Sequence, residues 1–207
     1  ARLGPQLRAT LERPGFYPAG GGRVRVDIRP SDRLAGLELL QRGPIVDRRV
    51  QAVVANLPRH IAERECRTIQ SESGWDAQHF AVCDTRAARG PGNVVLIEVQ
   101  TQAGAEVFAA FGQRGVRAER VARQAWSEAA EWLGADVPVG RHLADQLVLP
   151  LAVAAAIYGQ ASRFRTLPPT PHAVTHIDLV QRFLDLVVGT AEQPDGSWVV
   201  SLSGPQR

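Results

Sequence analysis

The chain has no lysine and no methionine, only two cysteines, and few aromatic side chains, 6% of its 207 residues. Without lysine, all 24 basic residues are arginines, and each cation is a planar fork suited to bidentate phosphate pairing and base stacking. Without methionine, Ala1 is not expected to be a natural start, so the chain is expected to be a fragment or a processed product. Cys66 and Cys83 lack metal-ligand spacing and are too few for a disulfide framework. No apolar run approaches the length of a membrane-spanning helix, and no signal-peptide pattern opens the chain. These absences together predict a reducing, cytoplasmic setting and no membrane partner. The formal net charge of +3 is too small to establish a nucleic-acid partner by itself.

What is present is globular. Apolar residues make up 44% and charged residues 22%, enough for one large domain or two small ones with a core. Residues 1–12 (ARLGPQLRATLE) read as the tail of a helix. After them Gly15-Phe16-Tyr17-Pro18-Ala19-Gly20-Gly21-Gly22 leads into a strictly alternating stretch, with Val24, Val26 and Ile28 against Arg23, Arg25, Asp27 and Arg29. That alternation predicts a half-buried strand with an arginine-rich outer face. The glycines allow a turn or an anion-cradling nest, and Phe16 and Tyr17 read more readily as core than as stacking platforms. Arg13, Arg23, Arg25 and Arg29 could meet phosphates, although solvated surface arginines are the simpler reading for most of them.

Pro30-Ser31-Asp32 and Gly134-Ala135-Asp136-Val137-Pro138 mark breaks. Between them the pattern predicts strands over residues 49–54, 94–99 and 106–111, and helices over 59–70 and 117–133. This is a small α/β module in its own right. Trp126 and Trp132, with Val121 and Ala125, read as a packing stripe, and Glu63, Arg64, Glu65 and Arg67 as a solvated helix face. His60 and His79 stand in no metal-binding constellation and read as structural.

The last third carries the chemistry. Leu143, Leu147, Leu151 and Ala154 predict a buried helical stripe, which Pro150 should end or kink. His142, Asp145 and Gln146 share one face at the start of that helix, as either a site or a polar helix end toward solvent. Further on, Pro168, Pro169 and Pro171 stiffen an arm that reaches His172. Thr175 and Asp178 form a plausible capping pair, and Ile177, Val180, Leu184 and Val187 recur at helical spacing. His172 thus falls where a rigid arm meets a helix N-terminus. There a neutral imidazole beside an anion site suits a nucleophile attacking phosphate, while the plain alternative is a surface histidine in a proline-rich loop.

The string GFYPAGGG with its alternating strand, the segment Pro58–Glu65, the block Arg89-Gly90-Pro91-Gly92-Asn93 before an apolar strand, and the HLADQ string of His142–Gln146 together resemble the RNA 3'-terminal phosphate cyclases, in family order. The resemblance implies an α+β fold of the cyclase/enolpyruvyl-transferase type. Residues 1–33 and 135–207 would belong to the catalytic domain, and 34–134 to an inserted small α/β domain. It implies that His142, Leu143, Ala144, Asp145 and Gln146 form the nucleotide-binding segment. His142 would replace a stacking aromatic, Asp145 would face the phosphates or their metal, and Gln146 would hydrogen-bond the nucleotide. It implies that His172 becomes adenylylated, with His176 in the place of an asparagine. ATP with magnesium or manganese, and an RNA ending in a 3'-phosphate, follow as substrates and cofactors. The implied reaction makes a 2',3'-cyclic phosphate. The alternative is a catalytically inert, cyclase-like RNA-binding or ribosome-assembly factor. An enolpyruvyl transferase is disfavoured by the motif strings.

Overall fold

The computed structural model of the chain describes residues 2–204; Ala1 and residues 205–207, which fall in the two outer expected segments, lie outside the described residues. The fold is α+β. Its first element is an antiparallel ribbon of β1 (Gln6–Arg13) and β2 (Arg23–Arg29). The expected helix tail is therefore a strand. Leu7, Ala9 and Leu11 alternate with Arg8, Thr10 and Glu12, and cross-strand pairing with β2 favours that period over a helical one. The register sets Leu7 opposite Ile28, Ala9 opposite Val26 and Leu11 opposite Val24, so both apolar sets share one face. The alternation holds but the expected half-burial of β2 does not, because Leu7, Leu11, Val24, Val26 and Ile28 are 50–65% exposed.

The middle of the chain builds a two-layer unit. Strands β4 (Ile45–Ala55), β5 (Phe80–Thr85), β6 (Gly92–Thr101) and β7 (Ala105–Phe111) form a sheet in the order β5-β4-β6-β7. β4 and β5 are parallel and the other pairs antiparallel. The parallel pair requires a crossover, supplied by helix α1 (His60–Ser73). Helix α2 (Ala118–Ala135) packs beside it, and both cover the face carrying Val50, Val54, Val95, Ile97 and Val99. Trp132 is fully buried there, and Trp126 meets Trp75 edge-on at 5.3 Å, as a packing stripe should.

One expectation on α1 is overturned. Glu65 does not belong to a solvated face; it is completely buried and accepts a hydrogen bond from the Asn93 amide. Ala62, Glu65, Cys66 and Ile69 follow helical spacing, and that places the carboxylate on the core side. Burial pushes its carboxyl up to about 7, against the opposing pull of the Asn93 hydrogen bond.

The second layer pair joins β3 (Glu38–Leu39), β8 (Ser162–Thr166), β9 (Val187–Glu192) and β10 (Trp198–Ser203) in the order β3-β8-β10-β9. Helices α3 (Arg141–Tyr158) and α4 (Pro171–Phe183) lie on it around Leu151, Phe164, Val180, Val200 and Leu202. α3 runs through Pro150 instead of stopping there, although the proline ring can offer no N–H to the Gln146 carbonyl. The apolar residues on both sides of it, Val148, Leu151 and Ala152, are buried and hold the helix together. α4 ends earlier than its apolar spacing suggests, since Leu184 is its C-cap and Val187 opens β9.

The two glycine-rich blocks meet. Gly20 and Gly21 have φ of 59° and 72°, and the Gly20 N–H donates to the Phe16 carbonyl at 2.7 Å, closing a turn. A Cβ on Gly92 would strike the Phe16 ring, so the turn sits tightly on the start of β6. Phe16 is half-buried by this contact. Tyr17 is not core at all, being 97% exposed.

Candidate active site

Two helix starts form the site. α3 begins at Gly140, which has no side chain to cap the helix. A neighbouring strand helps: Glu106 of β7 is buried and accepts the Gly140 N–H at 2.6 Å. Burial raises the Glu106 carboxyl above its ordinary range, while that N–H and the nearby His142 pull it back. The next residue, Arg141, makes a two-pronged ion pair with Glu131 of α2 at 2.6 and 2.7 Å. α3 is thereby fixed to the unit before it. None of this was evident from the sequence, where Glu106 is just one residue of an alternating strand.

α4 begins immediately after the proline arm. Thr170 is the N-cap, accepting the Ala173 N–H at 3.1 Å, and Pro171 occupies the first helical position. The expected capping pair is corrected accordingly. The Thr175 hydroxyl donates back to the Pro171 carbonyl, and Asp178 pairs with Arg182 one turn on. The helix starts earlier because a proline is tolerated in its first turn. His172 therefore lies within the first turn of α4.

Asp145 joins the two helices. Its Oδ2 lies 2.9 Å from His172 Nδ1 and its Oδ1 lies 3.1 Å from His176 Nδ1. The two rings are 6.4 Å apart and inclined at 62°. The His172 side chain is 79% exposed, while Asp145, at 26%, is sheltered. A carboxylate on Nδ1 favours the tautomer that keeps the proton there and leaves the Nε2 lone pair free. The exposed ring, in the first turn of α4, thus has a nitrogen that can serve as a nucleophile.

The other residues expected to form the nucleotide-binding segment are spread around α3. His142 is largely exposed and leans toward Glu128 of α2 at 3.6 Å. Gln146 is exposed, Leu143 is half-buried, and Ala144 is buried beneath the turn. The structure thus brings Asp145 to His172, and leaves His142 and Gln146 on the rim. It adds His176, which the resemblance offered only as standing in the place of an asparagine. The i, i+4 spacing of His172 and His176 was the available signal, but their shared carboxylate lies on another helix.

Comparison with known proteins decides the family. A profile of the RNA 3'-terminal phosphate cyclase family matches residues 1–189. The chain belongs to the RNA 3'-terminal phosphate cyclase family. The cyclase of Koribacter versatilis is 40% identical over 191 residues, covering 92% of this chain and 52% of that protein. The cyclase of Salmonella enteritidis is 38% identical over 208 residues, covering 98% and 58%, and that of Ectopseudomonas mendocina is 39% identical over 187 residues, covering 90% and 53%. The chain spans little more than half the length of these relatives. Among the described residues, no helix is long and apolar enough to cross a membrane.

Proposed function

We propose that the complete protein converts an RNA 3'-terminal phosphate to a 2',3'-cyclic phosphate, spending ATP through a covalent intermediate on His172. One observation carries the reading: Asp145 engages His172 at Nδ1 and leaves Nε2 toward solvent at the start of α4. Nε2 attacks the α-phosphorus of ATP, the bond to pyrophosphate breaks, and a phosphoramidate forms. An oxygen of the RNA 3'-phosphate then attacks the same phosphorus, and the P–N bond breaks with its electrons returning to the ring. The 2'-hydroxyl next attacks the 3'-phosphorus, losing its proton, and AMP leaves. Activation is needed because an unmodified phosphate monoester has a poor leaving group. Positioning and charge neutralisation supply most of the remaining rate.

Asp145 orients the imidazole and stabilises positive charge on it during attack. The N-terminus of α4 favours the anionic phosphates nearby. His142 offers an exposed ring for the base, with less area than a larger aromatic. Both Asp145 oxygens are engaged by histidines, and among the described residues no group of three His, Cys, Asp or Glu could hold a metal ion. Magnesium would fit here as an ion held mainly by the triphosphate and water, neutralising phosphate charge.

The test is incubation of the complete protein with α-labelled ATP and magnesium, wild type against His172→Ala. Acid-labile, alkali-stable label on the wild type alone supports the reading. No label on folded, ATP-binding protein would favour an inert scaffold, and equal label on both would move the nucleophile elsewhere.

A further inference from the structure

Away from His172, a groove of about 1300 Å³ opens between the Gly15–Pro18 turn and the N-terminal ends of α1 and α2. Small-molecule pockets run to roughly 300–1,000 Å³, so this space suits a polymer better. Its aromatic lining comes from Phe16, Tyr17 and Phe111, and the last two are 97% and 61% exposed. His60, Arg114 and Arg117 stand among them, and no lining residue is acidic. Among the described residues Arg114 and Arg117 make no ion pair, whereas Arg64 is held bidentately by Glu119. Neither α1 nor α2 has a side-chain cap at its start, and the first turns of both line the opening, bringing two positive dipole ends to it.

Bare ring faces interleaved with unpaired guanidinium groups match a single-stranded nucleic acid, in which bases stack and phosphates meet cations. A duplex hides its base faces, and an apolar peptide would leave the arginines unmatched. We propose that this groove binds the single-stranded body of the RNA substrate, upstream of its reacting 3' end. That the strand is RNA rests on the cyclase reading; the groove itself rests on its lining. α2 connects the two places, since its first turn opens on the groove while Glu131, farther along, grips Arg141 at the start of α3. From Arg117 to Glu131 the helix covers about 20 Å at 1.5 Å per residue. A stacked strand, at about 3.4 Å per nucleotide, spans that in about six nucleotides.

The complete protein and two double variants, Tyr17→Ala with Phe111→Ala and Arg114→Ala with Arg117→Ala, test the proposal. Two substrates are compared, a single-stranded 12-mer and a dinucleotide, both ending in a 3'-phosphate. A fluorescent 12-mer with a 3'-hydroxyl reports binding without chemistry. Each variant should lose about tenfold or more in affinity for the 12-mer. The kcat/KM preference for the 12-mer over the dinucleotide should collapse to a similar extent. The arginine pair should also flatten the dependence of binding on salt. Unchanged 12-mer binding and an unchanged length preference in both variants would overturn the proposal, as would a wild type that does not bind the 12-mer. Loss of 12-mer binding in variants of a wild type that forms no histidinyl-AMP would retain the groove and defeat the cyclase reading. Thermal melts confirm folding; should the aromatic pair unfold, the exposed arginine pair carries the test.

Discussion

Asp145 Oδ2 stands 2.9 Å from His172 Nδ1, tying the N-terminal part of α3 to the first turn of α4. A carboxylate this close to Nδ1 favours the tautomer with the proton on that nitrogen and Nε2 free. In the proposed reaction, attack by Nε2 then depends on a residue that need not touch the phosphate.

Replacing Asp145 with asparagine should slow labelling of His172 by about 100-fold or more, through the wrong tautomer and loss of charge. Tightness of ATP binding, measured separately, should change far less. An equal loss in binding and labelling would place Asp145 on the nucleotide instead.

His176 holds the other oxygen of Asp145 at 3.1 Å. His176→Ala should cost roughly tenfold in the labelling rate, the scale of one hydrogen bond to a charged group. His176→Asn, which retains a donor, should recover part of that rate. Failure of the asparagine to do better than alanine would remove His176 from the orienting set.

Stability should depend on pH through Glu65. Its folded-state value of about 7 lies above the ordinary 4.5, so the buried group takes up a proton on folding. The stability it permits is fully present below pH 4.5 and is lost as pH rises through about 7. The size is on the order of 3 kcal/mol. Glu65→Gln should therefore melt several degrees above wild type at pH 8, with the gap closing by pH 4.5. Glu119 works in the opposite sense, because its hydrogen bond and ion pair with Arg64 hold its carboxyl down at about 2. Comparing the two proteins at each pH cancels that contribution. A gap that did not vary with pH would show that Glu65 stays ionised in the fold.

Gly112 packs on Asn93, the hydrogen-bond partner of Glu65, and a Cβ there would collide with the Asn93 side chain. Gly112→Ala should destabilise by about 1–3 kcal/mol, the usual range for overpacking. The same substitution at Gly134, which has nothing within reach of an added Cβ, should not. Denaturant midpoints of the two variants give the comparison.

The sequence was clearest where one pattern dominated. β4, β6 and β7 carry short apolar runs, the first two rich in valine, and α1 and α2 repeat at helical spacing, so all five were expected within a few residues of where they lie. The ambiguous cases had spacings that suit both periods. Leu7 and Leu11 fit a helix or a strand, and only the opposite face of β2 settles the choice. Val187 continues a helical series that Leu184 has already ended. β5, with Ala81, Cys83 and Asp84 among its residues, shows too little contrast to stand out. At the site, the place of His172 was legible from the proline arm, a local feature. Its carboxylate partner was not, since Asp145 reaches it only through the packing of α3 on α4.

The β1–β2 ribbon sets practical limits on handling the chain. Two strands alone are marginal in water, and here Leu7, Leu11, Val24, Val26 and Ile28 all face outward from one surface. Amides of the ribbon should exchange with solvent long before those of β6, which is paired on both sides. A preparation of these 207 residues would thus behave as two materials, a protected pair of layered units and a sticky, short-lived arm. Detergent, dilution or a covering polypeptide would govern its shelf life more than any change at His172.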